Sequence, residues 1–172
     1  MFVASRFNAG QLLVSEDDGD TWSVVTVPSK PIVDLVFDTE FFIGFDTSSK
    51  MIFSTDGKNW VSHQCDFTHS VKSCCSNVKD GVKSWYVVIN YADSTTYYSV
   101  VYKSENFFAT EVLMSGANYD ATKWNVVSTI SGDDASVNEN KRIQKLFPAE
   151  NCIYAIADNG NDDNEVLMRS DD

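Results

Sequence analysis

Apolar residues in this chain fall in short runs set between polar clusters rich in Ser, Asp, Asn and Gly, and no long segment carries helical periodicity. Leu12-Leu13-Val14 leads into the polar tip Ser15-Glu16-Asp17-Asp18-Gly19-Asp20-Thr21-Trp22, and Val24-Val25-Thr26-Val27 leads out of it. Two extended runs about a Gly-containing tip predict a hairpin. Met51-Ile52-Phe53 enters a second such tip, Ser54-Thr55-Asp56-Gly57-Lys58-Asn59-Trp60, one residue shorter. Taken in order, the pattern predicts strands over 2–7 and 11–15 across a turn at Asn8-Ala9-Gly10, then 22–27, which Pro28 and Pro31 stop. A four-stranded unit follows over 32–37, 41–45, 50–54 and 60–64, and its second strand is so apolar that both faces must be covered. A third unit takes strands 70–78, 85–91 and 97–104, with a fourth at either 107–114 or 124–130. After a polar loop over 131–140, strands over 142–147, 152–157 and 165–170 make the last unit.

The two tips share a chemistry. A Ser hydroxyl and an Asp carboxylate accept bonds from N–H groups inside the loop. Gly19 and Gly57 supply a positive φ. The Trp opens the next strand and is expected to bury its ring, anchoring the hairpin to its neighbour. Ser15, Asp17, Gly19, Thr21 and Trp22 read as SxDxGxTW, and Ser54, Asp56, Gly57 and Trp60 as the shorter SxDGxxW. These residues resemble the Asp-box, or BNR, repeat of sialidase-like and other β-propellers. There the box sits on the hairpin between the last two strands of a blade, away from the central channel. Ser104-Glu105-Asn106-Phe107-Phe108 reads as a degenerate copy, Asp120-Ala121-Thr122-Lys123-Trp124 ends like a box, and Ser170-Asp171-Asp172 opens like one.

The resemblance implies an all-β chain, a β-propeller or propeller arc of about four four-stranded antiparallel blades, some incomplete. The expected organisation is one domain over 1–172 with blade units at about 1–27, 32–64, 70–130 and 141–172, the first and last incomplete. An open arc would leave edges that invite a partner chain or more of the same polypeptide.

Length and charge narrow the function. At 172 residues the chain can bury a core of its own. Its net charge is −12, from 13 basic and 25 acidic residues, and no Lys/Arg block offsets it. Phosphate-backbone binding and docking on an anionic membrane are therefore not expected. Residues 1–6 lack the basic start and apolar core of a signal peptide, and no apolar run approaches transmembrane length. That predicts a protein made in the cytoplasm. Cys65, Cys74, Cys75 and Cys152 form no CxxC pair and read as reduced, partly buried thiols, an exported disulfide pair being the alternative.

The residue types present bear on four chemistries. A sialidase needs an arginine triad, a Tyr–Glu nucleophile pair and an acid/base Asp. The chain has Arg6, Arg142 and Arg169, but lacks the FRIP-like motif and the blade number of that family. His63, Cys65 and His69 carry zinc-ligand chemistry at a spacing that matches no recognised site. Asp17 to Asp20 and Asp158 to Glu165 are oxygen-rich enough for calcium but miss the EF-hand spacing, which favours solvated turns. Tyr91, Tyr97, Tyr98 and Tyr102 gather in one hairpin, where cross-strand packing competes with a sugar platform. No cofactor is expected. The function expected is a non-catalytic structural or recognition module of a larger assembly, similar in style to bacteriophage tail, fibre or neck proteins of the virion. The alternative is a glycan-binding or sialidase-like propeller.

Overall fold

The computed structural model describes residues 1–5, 10–65, 67–93, 96–105, 124–132, 142–158 and 165–171. Among them every regular element is a strand, and every pairing is antiparallel between strands that follow one another in the chain. The first sheet is β1 (Phe2–Ser5), β2 (Gln11–Ser15) and β3 (Ser23–Thr26). The second is β4 (Ile32–Phe37), β5 (Phe42–Asp46), β6 (Lys50–Ser54) and β7 (Val61–Gln64). The third is β8 (Val71–Lys79), β9 (Val82–Ala92), β10 (Tyr97–Ser104) and β11 (Asn125–Gly132), and the fourth is β12 (Arg142–Ala149), β13 (Cys152–Asp158) and β14 (Glu165–Ser170). The fold is all-β, with four antiparallel sheets of three or four strands. Of the two alternatives for the third sheet's last strand, β11 takes the later one; 107–114 lies outside the described residues. So do residues 6–9, which carry Arg6, the end of the predicted 2–7 strand and the start of the predicted turn.

Of the described residues, those up to Ser70 form one compact unit and those from Val71 onward a second. In the first unit the core gathers Leu12, Val27, Ile32, Phe42, Ile52 and Trp60, with Val3, Val25 and Leu35 packed on it. β5 is buried along its whole length, as its unbroken apolar run requires. Gly44 sits where a Cβ would come within 2.8 Å of the Asp34 carbonyl oxygen and 3.0 Å of Leu35 Cδ1, so the close approach of β4 depends on a missing side chain.

The second unit's core joins Cys75, Tyr86 and Val88 of the third sheet to Ile143, Leu146, Ile153 and Ala155 of the fourth. Polar side chains of the third sheet also cap backbone groups of β12 and β13. Ser99 Oγ accepts from the Ile143 N–H at 3.0 Å and donates to Asn90 Oδ1 at 2.8 Å, while Asn90 Nδ2 donates to the Ile143 carbonyl at 2.8 Å. Ser73 Oγ accepts from the Leu146 N–H at 3.1 Å, and Asn77 Nδ2 donates to the Cys152 carbonyl at 3.1 Å. β12 is an edge strand, and these bonds engage its Ile143 N–H, Ile143 carbonyl and Leu146 N–H without another strand.

A repeated irregularity marks the opening strand of three sheets. Register slips by one residue between Ile32 and Asp34, between Val71 and Ser73, and between Ile143 and Lys145. In each case one residue bulges directly after a buried β-branched side chain. All four cysteines are buried and none is in a disulfide.

Candidate functional site

The two tips singled out in the sequence close as hydrogen-bonded loops at the ends of β2 and β6. Ser15, the last residue of β2, is buried, and its Oγ donates to Asp17 Oδ1 at 2.8 Å while accepting from the Gly19 N–H at 2.8 Å. Asp17 then collects the far side of the loop: Oδ1 accepts from the Thr21 N–H at 2.9 Å and Oδ2 from the Thr21 hydroxyl at 2.5 Å. The indole N–H of Trp22 returns to the Gly19 carbonyl at 3.0 Å. The backbone pays for this path with positive φ at Asp18 (58°) and Gly19 (100°), residue types that tolerate it.

The second loop repeats the circuit. Ser54 Oγ donates to Asp56 Oδ1 at 3.1 Å and accepts from the Gly57 N–H at 2.9 Å, and Trp60 Nε1 donates to the Gly57 carbonyl at 2.9 Å. Asp56 Oδ1 accepts from the N–H groups of Lys58 at 2.9 Å and Asn59 at 2.7 Å, and Oδ2 from Asn59 Nδ2 at 2.7 Å. Asn59 thus does in the short loop what Thr21 does in the long one, engaging both carboxylate oxygens. Glu16 and Lys58 pair across the two loops at 2.7 Å, an exposed contact worth little energetically.

These bonds set the electrostatics. The Thr21 hydroxyl and N–H, with the Ser15 hydroxyl, lower the Asp17 carboxyl from 3.8 to about 2. The Asn59 N–H leads the set that holds Asp56 below the usual carboxylate range. Both acids are therefore fixed anions occupied by their own loops.

The loops differ in one respect that the sequence did not signal. Trp60 is 9% exposed and packs on Phe42 with ring centroids 6.1 Å apart, but Trp22 is 44% exposed. The expected ring burial therefore holds for Trp60 and fails for Trp22, which stands two residues before the likewise exposed Val24 of β3.

One strand of each sheet ends on the serine that begins the sequence motif: Ser15 on the second strand of the first sheet, and Ser54, Ser104 and Ser170 on the third strands of the other three. Ser104 is buried like Ser15 and Ser54, whereas Ser170 is exposed. Trp22, Trp60 and Trp124 each stand directly before the next strand. Residues 106–123, which carry the rest of the degenerate copy, lie outside the described residues.

Asp46 stands in the sequence only as the first residue of a polar turn over 46–50. It is fully buried at the β5–β6 turn, where Oδ1 accepts from the N–H groups of Ser48 (2.7 Å) and Lys50 (2.9 Å). Its Oδ2 accepts from the Ser29 hydroxyl (2.6 Å) and the Lys30 N–H (3.0 Å), tying the β3–β4 connection to the second sheet. Burial pushes this carboxyl up, but the bonds from Ser29, Lys30, Lys50 and Ser48 outweigh it and hold it below the ordinary range.

The remaining candidates separate. His63 and Cys65 are buried and His69 is exposed, its Nδ1 3.0 Å from the Thr68 hydroxyl. Among the described residues no group of three or more His, Cys, Asp or Glu side chains is placed to hold a metal, so neither the zinc candidates nor Asp17 to Asp20 assemble into a site there. Most of the 158–165 loop lies outside the described residues. Arg142 lies 3.9 Å over the Tyr97 ring, and Arg169 pairs with Asp171 at 2.6 Å. Tyr91 and Tyr98 face each other across β9 and β10 and stack at 4.8 Å, with Tyr98 Oη donating to Asp93 at 3.0 Å. That is cross-strand packing of the kind the alternation predicts.

No protein-family model and no curated protein matches the chain. Among solved structures it is similar to the computationally designed Ika8 protein, with a TM-score of 0.39, 10% identity and coverage of 97% of this chain. The chain spans 57% of that designed protein's length.

Proposed function

We propose that the chain is a non-catalytic β-propeller module built from Asp-box blades, serving structure or recognition in a larger assembly. The observation that carries this reading is the loop circuit closed twice, in consecutive sheets, by the same Ser–Asp–Gly–Trp set. Every side chain in it is engaged within its own hairpin, so its chemistry goes into shape. The bulge repeated at the start of β4, β8 and β12 supports the same repeating architecture. Of the arginines that a sialidase would direct at a carboxylate substrate, Arg142 lies over a tyrosine ring and Arg169 pairs with Asp171, while Arg6 lies outside the described residues.

The assembly we propose is a bacteriophage virion, on similarity of style to tail, fibre or neck proteins and not on a residue signature. Quantitative mass spectrometry of particles purified from the source tests it: the chain is expected at a fixed stoichiometry with other particle proteins. Its absence from such particles, or turnover of a fluorogenic sialoside by the purified chain that Arg142→Ala abolishes, would overturn the reading.

A further inference from the structure

The second and fourth sheets match position by position. The bulge after Ile32 recurs after Ile143, which puts Leu35 and Leu146 in the same register position, then Phe42 and Ile153, then, one strand further, Ile52 and Met168. Ser54 and Ser170 close the third strands alike. The sheets packed against them match too. Counted back from the strand-ending Ser15 and Ser104, Leu12 corresponds to Val101, and Val3, opposite Val14, corresponds to Tyr86, opposite Lys103. In the first unit these positions surround one ring. Leu12, Ile32, Phe42 and Ile52 share a core cluster with Trp60, and Val3 and Leu35 pack on that cluster. In the second unit the six counterparts, Val101, Ile143, Ile153, Met168, Tyr86 and Leu146, line a groove of about 370 Å³. The neighbours of an indole are repeated there and the indole is not. β7, the strand that Trp60 opens, has no counterpart on the fourth sheet among the described residues. The chain's four tryptophans, Trp22, Trp60, Trp85 and Trp124, are all described, and none of them lines the groove. An apolar cavity of about 150 Å³ takes a benzene ring, so the groove has room for the larger indole. Lys103 and Arg169 also line it, but Glu105 and Asp171 pair with them at 2.7 and 2.6 Å, so the groove offers an apolar shape and not a free charge.

We propose that this groove is a seat for the indole ring of a tryptophan side chain, entering where Trp60 stands in the first unit. The same set of side chains, in its other copy, closes over a tryptophan that is left 9% exposed. Register and lining support this assignment with no need of a virion, so the two proposals fail separately.

The probe is N-acetyl-L-tryptophanamide, added to the full chain with its methyl groups isotopically labelled, and methyl shifts are read by nuclear magnetic resonance. Saturable shifts are expected at Val101, Leu146, Ile153 and Met168. Leu12, Leu35 and Ile52 should stay unmoved, because Trp60 already fills their seat. N-acetyl-L-leucinamide should need a concentration at least about tenfold higher, since it leaves part of the seat empty. A peptide of residues 54–64, which carries Trp60 in its own loop and strand, should move the same methyls at a lower concentration than the tryptophan amide. No saturable shift up to the solubility limit of the tryptophan amide would overturn the proposal. Equal affinity for the leucine amide would overturn it too, as would shifts of the same size around Trp60. Binding of the tryptophan amide but not of the peptide would overturn the assignment to a side chain and make a free indole compound the ligand.

Discussion

A residue type repeated in a repeated motif need not repeat its environment, and the tryptophans measure this. Trp60 lies in the first unit's core and Trp22 stands in solvent, though each caps its own loop with the same indole bond. Trp60→Ala is expected to lower the unfolding free energy by about 3–5 kcal/mol, the range for truncating a buried aromatic. Trp22→Ala should cost far less, and urea denaturation of the two variants would show a clear gap or refute the contrast. The loop carboxylates give a second residue-scale outcome. Asp17, Asp46 and Asp56 all titrate below their ordinary value when folded, Asp17 at about 2. Groups of this kind stabilise fully above the unfolded carboxylate value and lose that contribution as pH falls through the folded value. Stability should therefore be insensitive to these groups near neutrality and decline from about pH 4 toward pH 2. Asp17→Asn should flatten part of that decline in a series of thermal melts. The serines, aspartates and glycines of the loops were legible in the sequence because each does a local job. Asn59 was not, since its two bonds to Asp56 exist only once the shorter loop has closed, and Trp22's exposure depends on whether another sheet covers its face.

At the scale of elements, strand positions were largely readable from alternation and turn chemistry. β4 occupies the predicted 32–37, and the all-apolar stretch that demanded cover on both faces is the fully buried β5. The bulges were not readable. A single extra residue at Val33, Lys72 or Gln144 leaves no compositional trace, because it answers to the fit between two strands rather than to propensity. Gly44 is the matching case within a strand: Gly44→Ala should destabilise the first unit, since its Cβ would press on the backbone of β4 and not on a mobile side-chain tip. A fall in melting temperature with unchanged circular dichroism at low temperature would report it. The side chains that cap β12 make a further prediction. Ser99→Ala leaves the buried Ile143 N–H without its acceptor, at a cost of about 1–3 kcal/mol. Amide exchange at Ile143 should accelerate accordingly, while exchange in β5 stays as it was.

For the whole molecule the governing quantity is charge. With a net charge of −12 on 172 residues, like charges repel across the folded surface. Raising the salt from about 20 mM to about 500 mM shortens the Debye length several-fold and should raise the melting temperature; a fall would mean that attractive pairs such as Glu16–Lys58 dominate instead. Charge was fully legible from composition, and so was the all-β class, whereas the division into two compact units leaves no mark in the pattern of runs and turns. The capping of β12 has one more consequence. A sheet with two bare margins can polymerise without limit, as amyloid does. Here Ser99, Asn90 and Ser73 occupy the Ile143 N–H and carbonyl and the Leu146 N–H of β12 from within the fold, so those groups are withheld from any templating strand.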